Sequence, residues 1–394
     1  MEKIKKDYTT YIIGFLAIII SLFLHNMGLY SLVETKLYDY RFQLRGPLSS
    51  FESDVVLVEI DDESYRLLDE PYPYPRGRIW SKAVRNLTKA GAKVIAFDIQ
   101  FDSKDHESYR TFNKKNNFDY HDGDLEFSKS IDFANQNDVK IVLASKIGYE
   151  QSRLDPYYIV KPISLLEKKS YTGLIDHEVD EIDNFSRRYT IFNSLPGDTT
   201  KYFSFGLQTV ICFLNIDSNA KIIQDVKENK IVIDRLIITP YRGEASFLVN
   251  YYGPTSNTYN TFPVYSLSNI VDDLDYDLKN LNEDQNWIDM FINTKHPLYK
   301  NFGIKNSPFK DKIVIIGSSL KEDHDFVQTP FFNYNNHENP IPGLEFHANA
   351  IQQLIHNNYI IVPTKTLDLN SESFIYHIII IIFIVLLVLL LSRI

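Results

Sequence analysis

Two long apolar runs stand near the ends of the chain, and shorter apolar runs alternate with amphipathic ones between them. The run from Phe374 to Leu391 is nearly all Ile, Val and Leu, with His377 its only strongly polar residue. About 18 residues at about 1.5 Å of rise each cover about 27 Å, close to the hydrocarbon thickness of a bilayer. This predicts a transmembrane helix over 374–391. A buried core helix is the plainer alternative, but such helices rarely run so long without a charge. Tyr11 to Leu24 is a second apolar run, followed by His25, Asn26 and Gly28. Continued through Val33, it predicts a span over 11–33. A cleaved signal peptide is the rival reading, yet no small-x-small cleavage pattern follows the run. Residues 1–10 then form one flank, 392–394 a short stub at the other, and 34–370 a folded domain between two membrane anchors.

Within that domain the pattern alternates between strand and helix. Val55 to Ile60 is a short β-branched run that reads as a buried strand, ending in Asp61 and Asp62. Ile79 to Lys89 carries Ile79, Ala83, Val84 and Leu87 on one helical face, and Gly91 is a plausible stop. Lys93 to Phe101 predicts a second strand, Asp124 to Asn135 a second helix and Val139 to Ser145 a third strand. This β-α-β-α-β order predicts an α/β fold with a mixed, mainly parallel sheet covered by helices. Ser204 to Leu214 reads as helix. Lys230 to Thr239 and Ala245 to Tyr252 read as strands paired around Tyr241-Arg242-Gly243, and the polar stretch Asp272 to Asn286 as a surface excursion. Lys312 to Gly317 is another buried strand, leading into Gly317-Ser318-Ser319, and Glu345 to His356 is a helix. No internal repeat shows at periods of twenty to fifty residues.

Charge narrows the function classes. The 394 residues carry 41 Lys and Arg against 51 Asp and Glu, a formal net charge of -10. Nucleic-acid binding needs clustered basic residues, and none occurs beyond Lys3, Lys5 and Lys6. The single cysteine, Cys212, excludes an intrachain disulfide and a cysteine-based metal site. Basic residues lie on both sides of the first expected span, with Lys36, Arg41 and Arg45 beyond it, so charge alone leaves the orientation open.

Several blocks, in order, resemble a known family. They are Ile60-Asp61-Asp62-Glu63-Ser64, Pro73-Tyr74-Pro75-Arg76, Ala90-Gly91-Ala92 with Phe97-Asp98-Ile99-Gln100-Phe101, and Asp183-Asn184-Phe185-Ser186-Arg187-Arg188. Next come Asn250-Tyr251-Tyr252-Gly253-Pro254, Phe309 to Gly317, Thr329-Pro330 and Pro342 to Ala350. Together the chain from about 40 to 363 resembles the second class of CHASE domain, a sensory extracellular module associated with cyclases and histidine kinases. The resemblance implies an N-terminal span, an extracytoplasmic sensory domain, and C-terminal spans leading to a cytoplasmic output, with the inner membrane as location and a homodimer as assembly. The chain departs from that pattern at its end, where one span is followed by three residues. It is therefore expected to be either a fragment of a longer receptor or a chain that signals through a membrane or cytoplasmic partner, with no cyclase or kinase activity of its own.

The candidate chemistry gathers at one expected edge. If the sheet is parallel, Asp61, Asp98, Asp102 and Ser318 all follow strand ends where α/β folds place ligands, with Asp325 soon after. These carboxylates could hold Mg²⁺ or Ca²⁺, or could simply cap loops and pair with Arg76. Arg76, on a segment stiffened by Pro71, Pro73 and Pro75, could grip an anion or make a structural ion pair to Asp61 or Asp98. His347 could titrate near neutrality or be a hydrogen-bonded core histidine. No P-loop and no nucleophile elbow occurs. Two functions remain. The first is a sensor of an unknown small-molecule or envelope signal, with no cofactor, for which Asp61, Arg76, Asp98, Asp102, Ser318, Asp325 and His347 are the candidate ligand residues. The second is a metal-dependent extracytoplasmic hydrolase using Asp61, Asp98 and Asp325.

Overall fold

A computed structural model describes residues 14–16, 18–20, 31–48, 51–105, 110–112, 118–120, 122–217, 219–241, 243–280, 282–361, 379, 382–383 and 386. The expected spans at 11–33 and 374–391 lie for the most part outside these. Among the described residues, no helix is long and apolar enough to cross a membrane. Arg45–Ile360 forms one compact unit, and the flanking residues form a second. The described part of that second unit is helical, most of it in the polar helix Ser31–Arg45.

The core of the compact unit is a seven-stranded sheet. In chain order its strands are β1 (Val55–Ile60), β2 (Val94–Phe97), β3 (Lys140–Tyr149), β4 (Tyr157–Val160), β5 (Tyr171–Leu174), β6 (Val264–Ser266) and β7 (Ile313–Ser318). Across the sheet the order is β6-β1-β7-β2-β3, with β5 and β4 both paired to β3. All neighbours run parallel except β4, which turns back on the second half of β3. β7 enters late in the chain and slots between β1 and β2. This is why β1 and β2, consecutive in the chain, are not neighbours in the sheet.

The central strands β1, β2 and β7 are buried on both faces, so each is almost wholly apolar, with Glu59 their one charge. Their two-residue period assigns the faces. Val56, Val58 and Ile60 pack with Ile95, Phe97, Ile141, Leu143, Val314 and Ile316 under α1 (Ser81–Lys89) and α2 (Gly123–Gln136). Each such side chain contributes about 1.5–3 kcal/mol on burial. The opposite face, including Val55, Leu57 and Glu59, lies under α3 (Phe205–Phe213) and α4 (Gly343–His356). Asp122 caps α2, accepting from the Leu125 N–H at 3.1 Å, and Ser204 caps α3. One π turn, Arg76–Trp80, runs directly into α1, so the expected helix from Ile79 begins three residues early.

Three expectations need correction. The second strand ends at Phe97 rather than Phe101; the Asp98 N–H makes its bond to the Ile316 carbonyl at 2.8 Å and the chain leaves the sheet. Lys230–Ile233 and Ser246–Leu248 do not pair with each other. The first turns back at Asp234, whose φ is +52°, onto Leu236–Ile238, and the second pairs with Arg188–Thr190. A short polar residue tolerates that left-handed turn, and a two-residue loop suffices. Nor is the stretch from Asp272 merely a surface excursion. Asp272 is 1% exposed, and its carboxylate accepts the N–H groups of Gln285, Asn286 and Trp287 at 3.3, 3.1 and 2.9 Å, closing the loop on itself.

Candidate functional site

The carboxyl ends of β1, β7 and β2 do share one edge, and the residues that follow them divide into two places. The first surrounds Asp61. Its Oδ1 accepts from the Ser64 N–H, the Ser64 hydroxyl and the Ser266 hydroxyl, each at 2.7 Å. Asp61 thereby caps the short helix Asp62–Leu67 and ties β1 to β6. Two serines thus hold the carboxylate, and Ser268, 2.8 Å from Ser266, braces one of them. Beside them opens a groove of about 680 Å³, walled by Phe51 and Ser53 ahead of β1, by Asp61 and Glu63 after it, and by the stretch from Ser256 to Ser266.

Glu59 and Glu345 lie buried next to this groove. The Asn257 amide donates to Glu59 Oε2 at 3.0 Å, and Ser319 lies beside the same carboxyl. Glu345, on α4, accepts both the N–H and the hydroxyl of Ser256 at 2.8–3.1 Å. Burial pushes the Glu345 carboxyl up to about 8, and Glu59 adds to the shift. Burial also raises Glu59. α4 holds the extended chain around it at several more points. Asn349 accepts from the Tyr252 N–H at 2.9 Å, Gln353 from the Asn250 N–H at 2.7 Å, and Gln352 from the Asp54 N–H at 3.0 Å.

The second place is a buried polar line under β2 and β7. The Tyr189 hydroxyl accepts the Gly206 N–H at 2.8 Å and lies 2.6 Å from His347 Nδ1. The other ring nitrogen, Nε2, faces Asp98 Oδ1 at 3.8 Å. Burial, with His177 adding to it, pushes His347 down to about 3, so the ring is uncharged at any physiological pH. Burial and the Tyr189 contact favour the reading of His347 as a hydrogen-bonded core histidine. Burial and the charge of Asp325 push Asp98 up to about 8, and Asp325 is itself raised by burial. The Asp325 carboxylate lies over the first turn of α4, where a Cβ on Gly343 would come within 2.5 Å of its Oδ2.

Of the residues singled out in the sequence, Asp98, Asp325 and His347 therefore come together. Ser318 closes the same edge, its hydroxyl accepting from the Leu320 N–H at 3.1 Å. Asp61 sits at the groove instead. Asp102 is exposed on the loop after β2. Arg76 is not paired with Asp61 or Asp98: it is buried, its guanidinium 2.5 Å from Asp124 Oδ1 and 5.0 Å from the Phe101 ring centroid. Asp124 opens α2, and its charge spares Arg76 from standing alone in the core. The Asp61, Asp98 and Asp325 set does not form a metal centre. Among the described residues, no group of three or more His, Cys, Asp or Glu side chains could hold a metal ion. Sequence reasoning missed Glu59, Ser256 and Tyr189. Glu59 had a signal, as the one charge in an otherwise apolar buried strand; Tyr189 had none.

The family blocks acquire reasons from the same contacts. Arg187 pairs with Asp180 and Asp183 at 2.5 and 2.8 Å, and the Tyr251 hydroxyl donates to the Ser186 carbonyl at 2.6 Å. The block from Pro342 supplies Glu345, His347 and Asn349 to α4. A family model, the CHASE2 domain, matches residues 14–390. This chain belongs to the CHASE2 family. CHASE2 domains are extracellular sensory domains rather than catalytic ones. No curated protein and no solved structure matches the chain.

Proposed function

We propose that this CHASE2 chain is the extracytoplasmic sensory part of an inner-membrane receptor, anchored by spans at 11–33 and 374–391 and passing a signal to a cytoplasmic output on a longer chain or a partner. In this reading the domain of 34–370 works as a homodimer, and the groove beside β6 receives the signal. One observation carries the reading. The groove wall contains Ser53 and Ser256, and α4 holds the backbone on both sides of it through Gln352 and Glu345. A ligand that shifts that wall changes the hydrogen bonds that seat α4, the last helix of the compact unit before the C-terminal flank. Coupling of this kind needs only a difference in affinity between two packings of the helix.

The placement outside the membrane is testable with one added thiol. Cys212 is buried, so the native chain offers a clean background. Leu154 is 99% exposed, in the turn between β3 and β4. Leu154→Cys is expected to react with a membrane-impermeant maleimide in intact cells whose outer envelope has been permeabilised. Labelling only after the inner membrane is broken would overturn the topology.

A further inference from the structure

The groove beside β6 has a chemical character of its own. Among the described residues, Asp61 and Glu63 are its only charged lining residues, and no Lys, Arg or His lines it. The three serine contacts all fall on Asp61 Oδ1, and Oδ2 accepts no hydrogen bond among the described residues. That oxygen is rigidly aimed yet unused. Glu59, 1% exposed, holds the Asn257 side chain, itself part of the groove wall, through its Oε2, and Ser319 lies beside its carboxyl. Positions 61 and 63 thus bring two carboxylates to the groove, with Glu59 buried nearby and raised in part by the Asp61 charge. Burial first, then the Asp61 charge, raises the Glu63 carboxyl, while Arg66 lowers it. Phe51 and Tyr265, both half-buried, add aromatic surface to the wall. An anion here would meet the Asp61 and Glu63 carboxylates, whereas an ammonium would donate to Asp61 Oδ2 and rest against an aromatic face. The net charge of -10 draws cations toward the domain.

We propose that this groove binds a small organic amine, its ammonium group on Asp61 Oδ2 with Glu63 beside it. The site stands on the groove's own chemistry, and its role as the sensed signal rests on the receptor reading above.

The test is calorimetric titration of the full chain in a non-ionic detergent at neutral pH, with 1,4-diaminobutane as probe and succinate and Mg²⁺ as comparisons. Saturable binding of the diamine at or below about 1 mM is expected, weakening as salt is raised. Asp61→Asn, which keeps an acceptor for the serines, should weaken it by roughly tenfold, because a charge-assisted hydrogen bond is lost. Glu63→Gln, at an exposed position that carries no fold contact, should weaken it by roughly threefold. Glu181→Gln, an exposed acid outside the groove, should leave it unchanged. Should Asp61→Asn fail to fold, Glu63→Gln alone decides, and unchanged affinity in it overturns the proposal. So does the absence of saturable heat with the diamine, or equal binding of succinate or Mg²⁺. Hydrogen exchange of α4 separates site from role: slower exchange with diamine bound supports the receptor reading, while binding with α4 unchanged keeps the amine site and overturns that coupling.

Discussion

At the scale of single residues, charge placement in this domain is decided by what lies opposite in space. Arg76 and Asp61 look alike in the sequence, each a charged residue next to a conformational break, and both read as ligand candidates. Only Asp61 keeps an open atom, because its neighbours all bond to the other oxygen. Arg76 is consumed by Asp124, 48 positions along the chain, which no spacing rule announces. Arg76→Ala would strand Asp124 in the core. We expect a loss of about 3–5 kcal/mol in stability, measured by urea unfolding. A loss below about 1 kcal/mol would mean the pair is surface-like and Arg76 is open to a ligand.

At the scale of elements, periodicity located the buried strands and the helices that cover them, since a strand buried on both faces must be apolar throughout and a covering helix must carry an apolar stripe. It did not locate β6, three residues with no apolar run, which exists because β1 offers it a free edge. The fit between elements is also tertiary. Gly173 lies in β5 where α3 begins, and a Cβ there would sit 2.5 Å from the Phe205 Cα. Gly173→Ala must therefore displace backbone rather than a flexible side chain. We expect about 1–3 kcal/mol of destabilisation, read as a lower melting temperature with an unchanged fold by circular dichroism. An unaltered melting temperature would show that α3 can move away from the sheet without cost.

At the scale of the whole molecule, the buried ionisable groups make stability a function of pH. Glu345 rises from 4.5 to about 8 and Asp98 from 3.8 to about 8, so the fold favours their neutral forms. Their stabilising contribution is complete below the ordinary values and is lost as pH rises toward 8. Glu345 faces Glu59 and Ser256; Asp98 faces Asp325, His347 and Tyr189. His347 falls from 6.5 to about 3, so its neutral form stabilises the fold above 6.5 and it acts in the opposite sense only below that pH. Between pH 6.5 and 8 the carboxylates act alone, and melting temperature is expected to fall across that window. Glu345→Gln should flatten the fall; an equal slope in the variant would show that Glu345 is not the group titrating. The sequence by itself determined the class of the fold, its parallel sheet, the family and the acidic balance, because apolar periodicity and short ordered blocks are local properties of the chain. Only the tertiary structure decided which of the acids at the sheet edge is free, which are paired or protonated, and where the groove opens. Hydrogen-bond partners and burial belong to pairs of residues far apart in sequence, and the insertion of β7 between β1 and β2 sets those pairs.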